Sequence, residues 1–442
     1  MAERDGPTAP AHIWKVQTMS ETNPASRDLN AAEETRIAFI AAWLLCSLFY
    51  FVQYALRSAP GVMLPELGGA LAMSNVELGT LIGLYYYTYS VFALVSGAAL
   101  DRAGAKYTVP AGIVAVAVGA LLFGSSSVLG AEAGRLLQGA GSAMAFTGAV
   151  YLATHGFPKA WLATAVGVTQ CFGMLGGAVG QFAVAPVIHG MMSWQAFWAI
   201  SGFFLLVMAV GMALVTPPAT VEERTREAWW RPYRVVLRNP QSWLCGLIGG
   251  LLFLPTTIFA MIWGVPFLRE GLGAGYGEAV ARASMVPLGW VIGCPLLGYV
   301  ADRMGRRKPV IVGGAVLMLL AGVLILYLPE VLPPYVGGLA LGIGSGAAMI
   351  PYTSIKELNP DRVKGSATGA INFIVFTMTA VLNPGFGRIL ASRSDGGEMT
   401  LATFQAAGAW ILGGIVLAIL LTIPLRESGT LKAIPAHAEP AQ

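Results

Sequence analysis

The sequence predicts an all-α integral membrane protein of twelve transmembrane helices, set as two six-helix halves that repeat in parallel. Three observations carry this. Hydrophobic residues make up 56% of the 442-residue chain and charged residues only 11%, against about 25% charged in soluble domains. Apolar stretches recur at roughly 20 residues, the length of a membrane-crossing helix, without the alternation a barrel strand needs. One loop pattern also occurs twice, as Gly97-Ala-Ala-Leu-Asp101-Arg102-Ala-Gly104-Ala-Lys106 and Gly298-Tyr-Val-Ala-Asp302-Arg303-Met-Gly305-Arg306-Arg307-Lys308, 201 residues apart.

Taken in order, residues 1–36 are polar and lack the basic-then-apolar layout of a signal peptide, so they read as a cytoplasmic tail. Met19 offers an alternative start. Six apolar segments follow, near 37–63, 78–100, 107–127, 131–154, 160–188 and 194–216, and form a first bundle over 37–216. The charged stretch 217–240 reads as a cytoplasmic linker. Six more segments, near 241–268, 280–300, 309–328, 332–355, 365–388 and 401–423, form a second bundle over 241–425, and 426–442 is a cytoplasmic C-terminal tail. The 55 glycines suit this architecture, because small residues let membrane helices approach closely.

Orientation follows from lysine and arginine. With the N-terminus inside, the inner loops hold fifteen of them and the outer loops four, so both termini are expected in the cytoplasm. The repeat extends beyond the two loops: at an offset of 202 residues, Pro158 pairs with Pro360, Gly167 with Gly369 and Gln170 with Asn372. Both halves have six spans and one orientation, which is a parallel repeat.

On these residues the chain resembles the major facilitator superfamily over residues 37–425. Arg135-Leu-Leu-Gln138-Gly139-Ala-Gly141 is similar to that family's span-four motif. Gly173-Met-Leu-Gly176-Gly177-Ala-Val-Gly180 lacks the proline of its span-five antiporter motif. The resemblance therefore points away from drug–proton antiporters and toward bacterial branches that import organic acids, amino acids or siderophores. The run from Tyr50 to Pro60 in span one leans the same way. The resemblance implies alternating access in the bacterial inner membrane by a monomer. It also implies a gating role for Asp101, Arg102, Lys106, Asp302, Arg303 and Arg306, and a coupling role for Arg135.

Arg57 lies some 20 residues into span one. An unpaired arginine in hydrocarbon costs at least ~2.5 kcal/mol, so it should face an interior cavity, where its fork suits an oxyanion. Gln53, Tyr54, Tyr86, Tyr89, Gln170 and Asn372 supply polarity around such a cavity and are candidate solute contacts. The run Tyr85-Tyr86-Tyr87-x-Tyr89 covers nearly every face of span two, so part of it must face lipid. Glu132 precedes Arg135 by one turn, a spacing that lets the two pair, and is the candidate proton carrier. An anion carrying its own proton, or exchanged for another anion, needs no such carboxylate.

No nucleophile–base or metal cluster stands at a defensible spacing, and no phosphate-binding loop of the Lys-Ser/Thr type occurs. The sequence thus calls for no enzyme activity, cofactor, metal or nucleic acid. Cys46, Cys171, Cys245 and Cys294 all fall in apolar segments and read as packing residues. The expectation is a lipid-embedded secondary carrier of a small anionic or zwitterionic metabolite, with protons as a candidate coupling ion. The alternatives are an exporter of a metabolite or siderophore, and a non-transporting membrane sensor or assembly scaffold.

Overall fold

The computed structural model describes residues 24–218, 228, 230–360, 363–393 and 399–429. The side chains of residues 24–32, 101, 159, 160 and 162–164 lie outside it, as do the expected tails up to residue 23 and from residue 430. Among the described residues the secondary structure is entirely helical. Twelve helices are long and apolar enough to cross a membrane. They are α1 Glu33–Val62, α2 Asn75–Leu100, α3 Ala105–Phe123, α4 Val128–Gly156, α5 Ala165–Gly190, α6 Trp194–Val215, α7 Pro240–Gly271, α8 Tyr276–Met304, α9 Lys308–Tyr327, α10 Val336–Glu357, α11 Lys364–Arg393 and α12 Leu401–Leu421.

Local chemistry sets several of these ends. At the start of α2, the Ser74 hydroxyl accepts from the Glu77 amide, and the Glu77 carboxylate accepts from the Ser74 amide at 2.8 Å. This reciprocal cap starts the helix three residues earlier than hydropathy alone suggests. The repeated loops close on matching glycines, Gly104 at φ 69° and Gly305 at φ 60°, a region an L side chain avoids. Two stretches of α7, Pro255–Trp263 and Phe267–Gly271, are π-helical. The first begins at Pro255 and the second directly follows Pro266, where a missing amide and a crowding ring widen the turn.

Large apolar side chains point outward along the helices, such as Leu129, Val207 and Leu214, each more than 70% exposed. An outer belt of this kind needs lipid as its solvent. The interior holds Trp198, Trp263, Trp290, Arg57 and Arg135, all fully buried.

The halves meet along two seams. In the first, α2 runs beside α11, with Gly79 O accepting from Asn383 Nδ2 at 3.0 Å and Phe376 packed on Tyr86 and Tyr89. In the second, α5 runs beside α7 and α8. Gln181 Nε2 donates to Ala260 O at 3.0 Å, and Cys171 Sγ lies 3.8 Å from Val291 O. One end of the molecule carries the linker; at the far end the seams are shut. There the Tyr276 hydroxyl donates to Val62 O, the His189 ring stands edge-on to Tyr276, and Asn75 Nδ2 donates to Glu270 at 3.4 Å. At the linker end a short helix, Arg231–Arg238, sets the Tyr233 hydroxyl on Leu94 O at 2.9 Å, between α2 and α11.

Candidate solute-binding site

The site is built around one face of α1. Tyr50, Gln53, Tyr54 and Arg57 follow one another at helical spacing, and all four are buried. The Arg57 guanidinium sits in an aromatic cage, 4.1 Å from the Tyr54 ring centre, 4.7 Å from Tyr85, 4.8 Å from Tyr89, 5.3 Å from Phe376 and 5.7 Å from Tyr86. Cation–π contacts of this kind are worth about 0.5–2 kcal/mol each and let a cation survive without a counter-ion. Its Nη2 donates to the Tyr85 hydroxyl at 2.8 Å, while its Nε and Nη1 have no partner. The Tyr85 hydroxyl donates in turn to Gln53 Oε1 at 2.9 Å.

A second buried arginine stands across Tyr85. Arg135 is 5.0 Å from the same ring, so two guanidiniums flank one tyrosine. Among the described residues neither forms an ion pair with a carboxylate. Arg135 Nη2 donates to Ile82 O at 3.1 Å, and its Nη1 donates to Gln138 Oε1 at 2.8 Å. The expected pairing of Arg135 with Glu132 is therefore corrected: a helical turn of spacing permits it, but backbone carbonyls and Gln138 already take the guanidinium. Gly139 makes this approach feasible, because a Cβ there would stand 2.0 Å from Tyr85 O.

Below the cage, Tyr50, Tyr54, Tyr89, Phe146, Gln170, Phe253, Met349, Tyr352, Asn372 and Phe376 line a narrow chamber between the halves, of only about 10 Å³. That is the room a single water molecule needs, on the order of 10–15 Å³, so the halves are nearly in contact across it. Tyr54 and Tyr89 both line this chamber and cover Arg57. Gln170 and Asn372, matched by the repeat offset, meet here. The Tyr50 hydroxyl donates to Gln170 Oε1 at 3.3 Å, and the Tyr352 hydroxyl donates to Asn372 Oδ1 at 2.8 Å. Of the tyrosine run, Tyr85, Tyr86 and Tyr89 are buried and Tyr87 faces outward. All seven expected solute contacts thus lie in the cage or the chamber, or hold them directly. Tyr85 joins them from the tyrosine run, and Tyr50, Tyr352, Phe253 and Phe376 join them without having been singled out. Tyr50 was readable, one turn before Tyr54 on the Arg57 face.

The second repeated loop is tied within its own half. Arg307 Nη1 donates to Asp302 at 2.6 Å, and its Nη2 and Nε donate to Glu357 at 2.8 and 3.3 Å. Burial opposes the Arg307 charge, but the hydrogen bonds to Glu357 and Asp302 outweigh it and raise the pKa above the usual arginine value. Glu427, just beyond α12, accepts from the backbone amides of Arg307 and Lys308, the latter at 3.3 Å, and lies 3.8 Å from Arg306 Nε. Arg303 turns away to Tyr299. In the first loop, Lys106 Nζ donates to Thr216 O at 3.1 Å, Arg102 is exposed, and the Asp101 side chain lies outside the described residues.

Residues 46–384 match the model of the Major Facilitator Superfamily. The chain belongs to that family. It is 28% identical over 307 residues to a protein named membrane sensor protein UhpC in Salmonella typhimurium, an alignment covering 62% of this chain and 66% of the relative, just under two thirds of its length. It is 23% identical over 381 residues to the gentisate transporter of Corynebacterium glutamicum, covering 81% of this chain and 82% of the relative. Its fold is similar to the crystal structure of a bacterial homolog of the human lysosomal transporter Spinster in an inward-facing, occupied conformation. That match has a TM-score of 0.68 at 14% identity and covers 86% and 95% of the two chains.

Proposed function

We propose that this protein is a secondary transporter that moves a small anionic metabolite by alternating access. One observation carries the anion: Arg57 is buried between the halves with two guanidinium nitrogens unpaired and, among the described residues, no carboxylate paired with it. A buried positive charge without a counter-ion is costly, and an incoming oxyanion removes that cost. Arg135 behind it adds a second positive charge of fixed position. The gentisate transporter, whose named solute is a carboxylate, supports the same reading. An anion can bring its own proton or leave in exchange for another, so Glu132 is not required for coupling.

In this reading the two bundles, 37–216 and 241–425, rock about the chamber, joined by 217–240. Both termini and the linker end lie in the cytoplasm, and the far end faces out. The Asp302–Arg307–Glu357 cluster and its first-half counterpart around Asp101 and Lys106 bias the inward opening. The test is counterflow in proteoliposomes with a panel of carboxylates, phosphates, sulfonates and neutral sugars. Uptake of an anion that is lost in Arg57→Ala, in a variant that still folds, supports the proposal. Uptake restricted to neutral or cationic solutes overturns it.

A membrane sensor is the second reading, favoured by the similarity to UhpC. It differs in one outcome: an anion stabilises the purified protein but is never carried across the bilayer.

A further inference from the structure

The short helix Arg231–Arg238 has two unlike faces. At 3.6 residues per turn, Arg231, Arg234 and Arg238 fall within an arc of about 60°, and Tyr233 and Val236 fall on the opposite side. The three arginines are exposed, whereas Tyr233 and Val236 are buried. The buried face is wedged between the halves. Besides donating to Leu94 O, the Tyr233 hydroxyl lies 3.0 Å from where a Cβ on Gly97 of α2 would stand. It lies 2.8 Å from where a Cβ on Gly369 of α11 would stand. Two glycines, one from each half, thus make room for this phenol.

The other face carries three positive charges, and among the described residues no carboxylate pairs with any of them. Two indoles mark its depth. Trp230, just before the helix, is 46% exposed. Trp243, at the start of α7, is 42% exposed while its Nε1 donates to Leu237 O at 2.8 Å. An exposed tryptophan at the end of a membrane span sits at headgroup level, so this hydrogen bond fixes the short helix at that level too. A basic stripe held there is matched to lipid phosphates, which an arginine fork meets through two oxygens. We propose that this face binds anionic phospholipid of the leaflet at the linker end, and that the bound lipid holds Tyr233 in the seam between α2 and α11. Each arginine near an anionic surface is worth about fivefold in binding. Such a lipid contact is independent of what the chamber binds.

The test is thermal stability of the full-length protein in detergent, titrated separately with dioleoylphosphatidylglycerol and dioleoylphosphatidylcholine. Half-maximal stabilisation by phosphatidylglycerol is expected at a concentration about tenfold or more below that for phosphatidylcholine. Replacing Arg231, Arg234 and Arg238 together by glutamine should bring the two lipids to within about threefold of each other. Arg303→Gln, which removes an exposed charge at the end of α8, should leave the preference intact. A second readout follows the seam. Val236→Cys, on the buried face and in a background without native thiols, reacts with a water-soluble maleimide only when the helix lifts. Phosphatidylglycerol should slow that reaction about fivefold or more, and should not do so in the triple variant. Equal stabilisation by the two lipids, or an undiminished preference in the triple variant, overturns the lipid site. A lipid preference with a labelling rate indifferent to phosphatidylglycerol overturns the hold on the seam. Stabilisation reproduced by inorganic phosphate assigns the stripe to a soluble anion and overturns the membrane partner.

Discussion

Tyr85 fixes the polarity of the site: its hydroxyl accepts from Arg57, which can only donate, and gives its single proton to Gln53. Tyr85→Phe removes two hydrogen bonds, each worth about 1 kcal/mol to the fold, so it should lower the ligand-free melting temperature and weaken anion-dependent thermal stabilisation about tenfold. How much was readable residue by residue depended on where each partner lies. Arg57, Gln53 and Tyr54 share one helical face and need no tertiary knowledge to be grouped. Phe376 comes from the other half, and only packing between bundles brings it to Arg57; Tyr352 reaches Asn372 through the packing of α10 on α11. Arg135 misled for a related reason. Its sequence neighbour Glu132 is an obvious partner, whereas its actual acceptors are the Gln138 side chain and the Ile82 carbonyl, and the latter belongs to α2 and carries no side-chain signature.

Helix by helix, hydropathy located all twelve spans, and capping moved their ends by a few residues, as Ser74 and Glu77 do for α2. Hydropathy does not report contact between helices. Gly139→Ala should push α4 from α2 and cost about 1–3 kcal/mol by overpacking, read as a lower melting temperature. Gly167→Ala on α5, where nothing stands within 4 Å of the added carbon, should be close to silent in the same measurement. The second loop shows how a turn redirects charge. Left-handed Gly305 folds the chain back, so Arg307 reaches Asp302 and Glu357, while Arg303 and Arg306, the basic residues the motif draws attention to, lead elsewhere. Arg307→Ala leaves two carboxylates without their cation and should cost about 1–3 kcal/mol, less than a fully buried pair because Asp302 is largely exposed. Its raised pKa keeps this guanidinium charged at any physiological pH.

At the scale of the whole molecule, the seams at the far end are closed by contacts between α5 and α7 and between α1 and α8. Cysteines replacing Gln181 and Ala260, in a background with native thiols removed, should react with a short bifunctional thiol reagent and halt flux, and reduction of a cleavable reagent should restore it. Flux undiminished by full cross-linking would show that this seam need not open. The parallel repeat made two halves legible from sequence, and the matched Gln170 and Asn372 do face one chamber, but the cage above them follows no repeat. Arg57 and Arg135 both lie in the first half, deep in a low-dielectric interior, without an anionic neighbour among the described residues. This has an electrical consequence. A transmembrane voltage acts on each charge that shifts through the field, by about 2.3 kcal/mol per 100 mV for a full crossing. On the proposed function, an empty carrier would rock with two uncompensated positive charges, whereas one holding a dianion would rock nearly neutral. Membrane potential should therefore set the rate of the unloaded return stroke far more than that of the loaded stroke, and exchange of one dianion for another should be almost indifferent to it.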